Sequence, residues 1–194
     1  MRKRIAVLIS GRGSNMLRIV EEAQTGILKN SCEVCAVIAN NEQAGGLALA
    51  RDMQVPTFVV PSRGQPQEVF ENDLLQVLKS LDVDYLVLAG FMKILSGSFV
   101  SHYKRRIVNI HPADTRQHKG LYAYQWAFER KLPSTKITVH YVDDGVDTGE
   151  IIAQTDLDLK GAASLGEVEE RGIAVEHQFY SKVLRSVFST QEGD

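Results

Sequence analysis

Arg4-Ile-Ala-Val-Leu-Ile9 is an unbroken apolar run that leads through Ser10-Gly-Arg-Gly-Ser-Asn15 into an amphipathic stretch. In that stretch Leu17, Ile19, Val20 and Ala23 are apolar, while Glu21 and Glu22 point outward. A strand that is apolar without alternation is buried on both faces, as in a parallel sheet covered by helices. The glycine turn and the helix start behind it make an anion site, since small residues let the backbone approach and free N–H groups favour negative charge. Ser14 and Asn15 add side-chain donors to such a site. Met16 and Leu17 stand where a dinucleotide fingerprint needs another glycine, so a single phosphate fits better. A plain glycine turn with a helix cap is the alternative.

The pattern then recurs. Residues 34–39, 57–60, 85–89 and 107–111 read as further strands, with helices over 46–53, 67–81 and 95–103. Such alternation predicts an α/β fold, a doubly wound, mostly parallel twisted sheet of Rossmann-like type. The expectation is one domain over residues 1–194, with a phosphate-binding half (1–100) and a catalytic half (101–194). After Pro112 a polar stretch, 113–120, precedes a short helix over 122–131, in which Trp126 reads as a packing residue. A strand at 138–142, an acidic loop at 143–149 and a strand at 151–159 follow. A long helix over 165–188 closes the series, with Val168, Val175, Phe179, Val183 and Val187 as its apolar stripe.

The chemistry concentrates in Ile107-Val-Asn-Ile-His-Pro112. Alternation along a strand puts Asn109 and His111 on one face, at the C-terminal edge where open α/β sheets bind ligands. An amide can donate to an oxyanion, and an imidazole can donate or move a proton. A strand-end turn capped by a histidine is the simpler alternative. Asp147 is the third candidate, because a carboxylate near His111 would hold the ring cationic and relay protons. Asp143, Asp144 and Asp147 also suit a solvated turn. A metal is disfavoured, since no matching set of histidine or carboxylate ligands surrounds them in the sequence.

A net charge of -2 gives no basic surface for nucleic acid. No apolar run approaches the roughly 20 residues of a membrane span. The segment after the basic Met1-Arg-Lys-Arg is too short for a signal-peptide core, so a cytoplasmic protein is expected. Cys32 and Cys35 have redox-motif spacing but lie in a strand, where residues three apart face opposite sides. They read as unrelated, reduced cysteines.

Together, Ile9-Ser-Gly-Arg-Gly-Ser-Asn15, Leu88-Ala-Gly-Phe-Met-Lys-Ile-Leu95, Asn109-Ile-His-Pro112, Thr138-Val-His140, Asp147-Thr-Gly149 and Glu176-His177 resemble the folate-dependent phosphoribosylglycinamide formyltransferases of purine synthesis. The resemblance runs over nearly the whole chain. It implies Asn109, His111 and Asp147 as catalytic residues, and Gly13, Ser14 and Asn15 as the phosphate loop. It implies Glu176 as the acid receiving the glycinamide end of the acceptor. Met92, Lys93, Ile94 and Leu95, with Asn109, Asp143, Asp144, Gly145, Val146 and Asp147, are implied as the folate contacts. The implied co-substrate is 10-formyltetrahydrofolate, with no metal, and the implied partners are small molecules, with a homodimer left open. This sequence departs from the resemblance at residues 113–120, which lack the usual Ser-Leu-Leu-Pro, at Ile173, and at Gln67, which stands in register with an arginine. The polar loop 113–120 is expected to be exposed and mobile unless Asp114 and Arg116 pair locally. Formyl transfer to another amine (an amino sugar or amino acid), formyl-folate hydrolysis, and non-catalytic folate or nucleotide binding are the alternatives.

Overall fold

The order in which the strands pair explains where the functional residues meet. The computed structural model describes residues 1–189, so residues 190–194 of the expected domain lie outside the described residues. Its strands are β1 (Lys3–Ile9), β2 (Cys32–Ala39), β3 (Thr57–Val59), β4 (Tyr85–Leu88), β5 (Ile107–His111), β6 (Ser134–Tyr141) and β7 (Ile151–Asp158). They form a seven-stranded sheet in the order β3-β2-β1-β4-β5-β6-β7. The first five are mutually parallel, β6 runs antiparallel to β5, and β7, antiparallel to β6, returns to the direction of the first five. The chain steps outward from β1 to β3 and then returns to β4 on the other side of β1. That reversal opens a crevice at the carboxyl ends of β1 and β4, the place where doubly wound sheets take ligands.

The helices are α1 (Ser14–Gln24), α2 (Gly46–Asp52), α3 (Gln67–Ser80), α4 (Gly97–His102), α5 (Ala123–Glu129) and α6 (Leu165–Ser189). On β1, Ile5, Val7 and Ile9 face a core shared with α1, α2, α5 and α6, while Ala6 and Leu8 face a second core under α3 and α4. The doubly wound expectation follows from this alternation and matches the structure. The halves proposed at residue 100 share one sheet, and β4 pairs with β5 across that point.

Cys32 joins the first core and Cys35 the second. A bulge separates them, because the register passes from Ile5↔Val34 to Ala6↔Ala36 and leaves Cys35 as the extra residue. Burial pushes the Cys32 thiol up to about 12 and also raises Cys35, so neither is a thiolate nucleophile.

Three elements differ from expectation. Residues 95 and 96 are not helical, and α4 starts at Gly97 with the Ser96 hydroxyl accepting from Phe99 N. Strand β6 starts at Ser134 rather than at 138, since its first residues pair with Lys136↔Asp156 and Ser134↔Asp158 on β7. The buried face of α6 holds the expected Val168, Val183 and Val187 but also Gly172, Glu176, Tyr180 and Leu184, while Val175 and Phe179 are half-buried at its edge.

The loop at 113–120 takes the exception rather than the rule. Ala113, Asp114 and Thr115 are buried. Arg116 folds back on Asp114, with its backbone N at 3.1 Å and Nε at 3.0 Å from Oδ1, and Nη2 at 3.0 Å from Oδ2. Gln154 on β7 adds a donor at 3.3 Å. These hydrogen bonds, the Arg116 side chain first, hold the Asp114 carboxyl down at about 2.

Candidate active site

Strand pairing assembles the polar cluster. Opposite residues in an antiparallel pair share a face, and β5 and β6 set Asn109 against His140 and His111 against Thr138. Asp147 arrives from the β6–β7 connection with φ of 49°, a conformation that Asp and Asn tolerate better than most residues. Its Oδ2 lies 3.2 Å from His111 Nδ1 and accepts from Gly120 N at 2.8 Å. Its Oδ1 lies 3.3 Å from both Asn109 Nδ2 and His140 Nε2. One carboxylate thus bridges three side chains drawn from two strands. His140 has no role in the sequence reading, although the Thr138-Val-His140 alternation was the signal that it shares the face of Asn109.

Burial is the largest influence on Asp147 and pushes its pKa up. The hydrogen bond from His140, the nearby His111 and Gly120 N outweigh it, so the net shift is downward and Asp147 is ionised at neutral pH. His111 behaves differently. Burial, joined by the neighbouring His140 and His118 rings, lowers its pKa by more than Asp147 and the His118 carbonyl raise it. The expectation that Asp147 keeps the resting ring cationic is therefore corrected. Both ring nitrogens face acceptors, Asp147 Oδ2 and the His118 carbonyl at 3.1 Å. A second proton is thus well oriented once acquired but weakly held, which makes the cationic ring a stronger acid than free imidazolium. His118 also stacks between His111 and Trp126, with centroids 6.1 and 4.9 Å away.

Beside this cluster opens a mainly apolar cleft of about 360 Å³, within the range of small-ligand sites. Met92, Lys93, Ile94 and Leu95 line it from the β4–α4 connection, Asp143, Gly145, Val146 and Asp147 from the β6–β7 connection, and Asn109 and His111 from β5. Asp144 does not line it; its Cβ lies against Gly97. Exposed Leu121, Tyr122, Met92 and Ile94 stand around the mouth.

The remaining candidates gather on the β1 side. Gly13 precedes α1 with φ of 80°, and a Cβ there would meet Gly46 Cα at 2.8 Å, so only glycine fits. Ser14 is exposed at the helix start. The Asn15 side chain donates to Glu176, which also accepts from Tyr124 Oη. Asn15 Oδ1 is buried without a partner. Glu176 is itself buried, and burial raises its pKa more than Tyr124 and Asn15 lower it. Tyr180, one turn on, donates to the Leu88 and Val108 carbonyls at 3.0 and 2.9 Å and ties α6 to the ends of β4 and β5. Tyr124 is also absent from the sequence reading. Its signal is Gly172, an isolated glycine inside a helix, where a Cβ would lie 2.2 Å from the Tyr124 ring.

No group of three or more His, Cys, Asp or Glu side chains among the described residues is arranged to hold a metal ion. Residues 3–184 match the family model described as formyl transferase. The chain is 36% identical over 184 residues to phosphoribosylglycinamide formyltransferase of Haemophilus influenzae, covering 94% of this chain and 86% of that protein. It is 35% identical to the trifunctional purine biosynthetic protein adenosine-3 of Drosophila pseudoobscura, of whose length it spans 14%. Its fold superposes on the Bacillus halodurans phosphoribosylglycinamide formyltransferase with a TM-score of 0.90 at 31% identity, covering 97% and 96% of the two chains. The Coxiella burnetii enzyme gives 0.88 at 35% identity, covering 95% and 86%. A family match over nearly the whole chain, and relatives of this identity covered over most of their length, mean that the chain belongs to the formyl transferase family.

Proposed function

We propose that this protein transfers the formyl group of 10-formyltetrahydrofolate to the primary amine of phosphoribosylglycinamide, a step of purine biosynthesis. The observation that carries the reading is the single carboxylate, Asp147, joined to His111 and Asn109 beside an apolar cleft. The cleft takes the pterin and aminobenzoyl rings of the donor between residues 92–95 and 143–147. The α1 N-terminus with Gly13, Ser14 and Asn15 takes the acceptor phosphate, and Glu176 with Asn15 Oδ1 offers acceptor lone pairs to its amine end. Holding both substrates converts an encounter into an oriented attack.

As the amine nitrogen attacks, a carbon–nitrogen bond forms and negative charge develops on the formyl oxygen. In this reading Asn109 Nδ2 donates to it, joined by His111 once the ring has taken a proton from the amine and its Nε2–H exchanges the His118 carbonyl for that oxygen. Asp147 stabilises the proton that His111 acquires. The bond to the donor nitrogen then breaks, and the proton lost by the amine passes to that nitrogen through His111, Asp147 and water. Because burial weakens the hold of His111 on its second proton, a proton that the ring takes from the amine is readily passed on. We place this reaction in the cytoplasm; no helix among the described residues is long and apolar enough to cross a membrane.

The test offers the purified protein 10-formyltetrahydrofolate with phosphoribosylglycinamide, then with amino sugars and amino acids, then with no amine. Turnover on the glycinamide is expected. Preference for another amine would replace the acceptor, folate release without an amine would indicate hydrolysis, and no turnover in any arm would reduce the protein to a binder.

A further inference from the structure

Residues 89–96 between β4 and α4 form neither helix nor strand, yet Met92, Lys93, Ile94 and Leu95 make one wall of the cleft. Met92 and Ile94 are 62% and 59% exposed, so among these four residues packing anchors chiefly Leu95, which is buried in the second core. Side chains from elsewhere hold the rest of the segment. At one end Ser10 Oγ accepts from Met92 N at 2.8 Å. At the other, Glu71 from the buried face of α3 accepts from Ser96 N at 2.7 Å and from Ser96 Oγ at 2.5 Å. Gln67, one helical turn earlier, donates to Glu71 at 2.9 Å and to the Ile94 carbonyl at 3.3 Å.

A carboxyl group only 6% exposed is costly unless hydrogen-bonded. Here its partners are neutral N–H and O–H donors, and they fasten an otherwise irregular segment to a rigid helix. Glu71 does not line the cleft. We propose that Glu71, with Gln67 and acting through Ser96, is a positioning residue for the formyl donor: it pre-shapes the residue 92–95 wall against which the donor binds. This rests on the folate reading of the cleft and adds to it a residue that never touches substrate. A loosened wall must be ordered at each binding event, and that cost falls on donor affinity. The reacting groups Asn109, His111 and Asp147 sit on other segments, as do the acceptor candidates at 13–15 and 176.

The experiment compares wild type with Glu71→Gln, Ser96→Ala and Gln67→Ala. It measures tetrahydrofolate affinity by calorimetry, KM for each substrate, kcat at saturating donor, and amide hydrogen exchange. Glu71→Gln keeps the volume but places an N–H₂ where an acceptor was. We expect its tetrahydrofolate Kd and donor KM to rise about tenfold, and those of Gln67→Ala about threefold. Acceptor KM and kcat should stay within about twofold, and exchange should quicken in residues 91–97 alone. Gln67 is exposed, so its variant keeps the test decisive if Glu71→Gln does not fold. Unchanged donor affinity in variants of a wild type that binds tetrahydrofolate overturns the positioning role and leaves the folate reading intact. Equal rises in both substrates' KM would reduce Glu71 to a fold element and likewise overturn it. A wild type that does not bind tetrahydrofolate overturns both readings.

Discussion

Asp147 and Glu176 are both acids withdrawn from solvent in one molecule, and their surroundings drive them in opposite directions. Asp147 sits between two imidazoles that can carry positive charge, His111 and His140, and accepts from the Gly120 N–H, and its pKa falls despite burial. Glu176 has only the neutral donors Tyr124 and Asn15, and burial wins. Partners that can carry positive charge hold a carboxylate ionised, whereas neutral donors in a dry site leave it holding its proton more tightly. The first suits a group that must support His111 throughout a reaction. The second suits a group that greets an incoming amine.

The contrast is broken most severely at Asp147. Asp147→Asn and His111→Ala should each lower kcat by about 10²–10⁴-fold, read in a formyl-transfer assay. Asparagine tolerates the positive φ of this site, so Asp147→Asn should still fold cooperatively, losing only the stabilisation that the carboxylate supplies. Because the two groups act together, the double variant should lose less than the product of the single losses. Near wild-type turnover in either single variant would remove that residue from the mechanism.

On the other side of the comparison the effect moves to the acceptor. Tyr124→Phe keeps the ring that packs on Gly172 and removes one donor to Glu176. It should raise acceptor KM about tenfold while leaving donor KM unchanged. Ser14→Ala combined with Asn15→Ala should act in the same direction, and inorganic phosphate should compete with the acceptor alone. Equal effects on both substrates would show that this region supports the fold rather than the amine-bearing substrate.

A subtler test asks whether the two acids have opposite linkage to stability. The lowered pKa of Asp147 means that its stabilisation is present above the unfolded value near 3.8 and is lost as pH falls through the folded value. The raised pKa of Glu176 means that the native state holds the proton more tightly. Its cost therefore appears as pH rises above the unfolded value near 4.5. Denaturation across pH should show Asp147→Asn flattening the acid limb. Glu176→Gln should gain stability relative to wild type as pH rises. Parallel slopes for the two variants would contradict the contrast.

These residues also show which parts of the molecule were legible in its sequence. Ile5–Ile9 and the Asn109–His111 alternation follow from strand period alone, so the sheet and half of the polar cluster could be read directly. The bridging of three side chains by Asp147 could not, because it depends on β6 running antiparallel and setting His140 opposite Asn109. Tyr124 was hidden because its partner Glu176 lies on another helix, and the apolar stripe chosen for α6 passed beside that carboxyl rather than through it. Leu95 and Ser96 have helix-compatible residues around them, but Glu71 holds them outside α4. The polarity of Asp114 and Arg116 suggested an exposed loop, and the bond between them reverses that for Asp114.

That pair supplies the smallest expected effect. Asp114→Ala strands the Arg116 and Gln154 donors and should cost about 1–3 kcal/mol in denaturant unfolding. Arg116 is two-thirds exposed, and Arg116→Ala should lower Tm by less than Asp114→Ala does. A larger loss from Arg116 would assign the loop's order to the arginine rather than to the buried acid.

The stack of His111, His118 and Trp126 has an optical consequence. The chain contains one tryptophan, and its indole lies face to face with the imidazole of the same loop whose carbonyl contacts His111. Any movement of that loop changes the environment of the sole indole, so emission from Trp126 is a built-in gauge of whether His111 is covered or released. Stopped-flow mixing with either substrate can follow that exchange in real time, without a label attached to the protein.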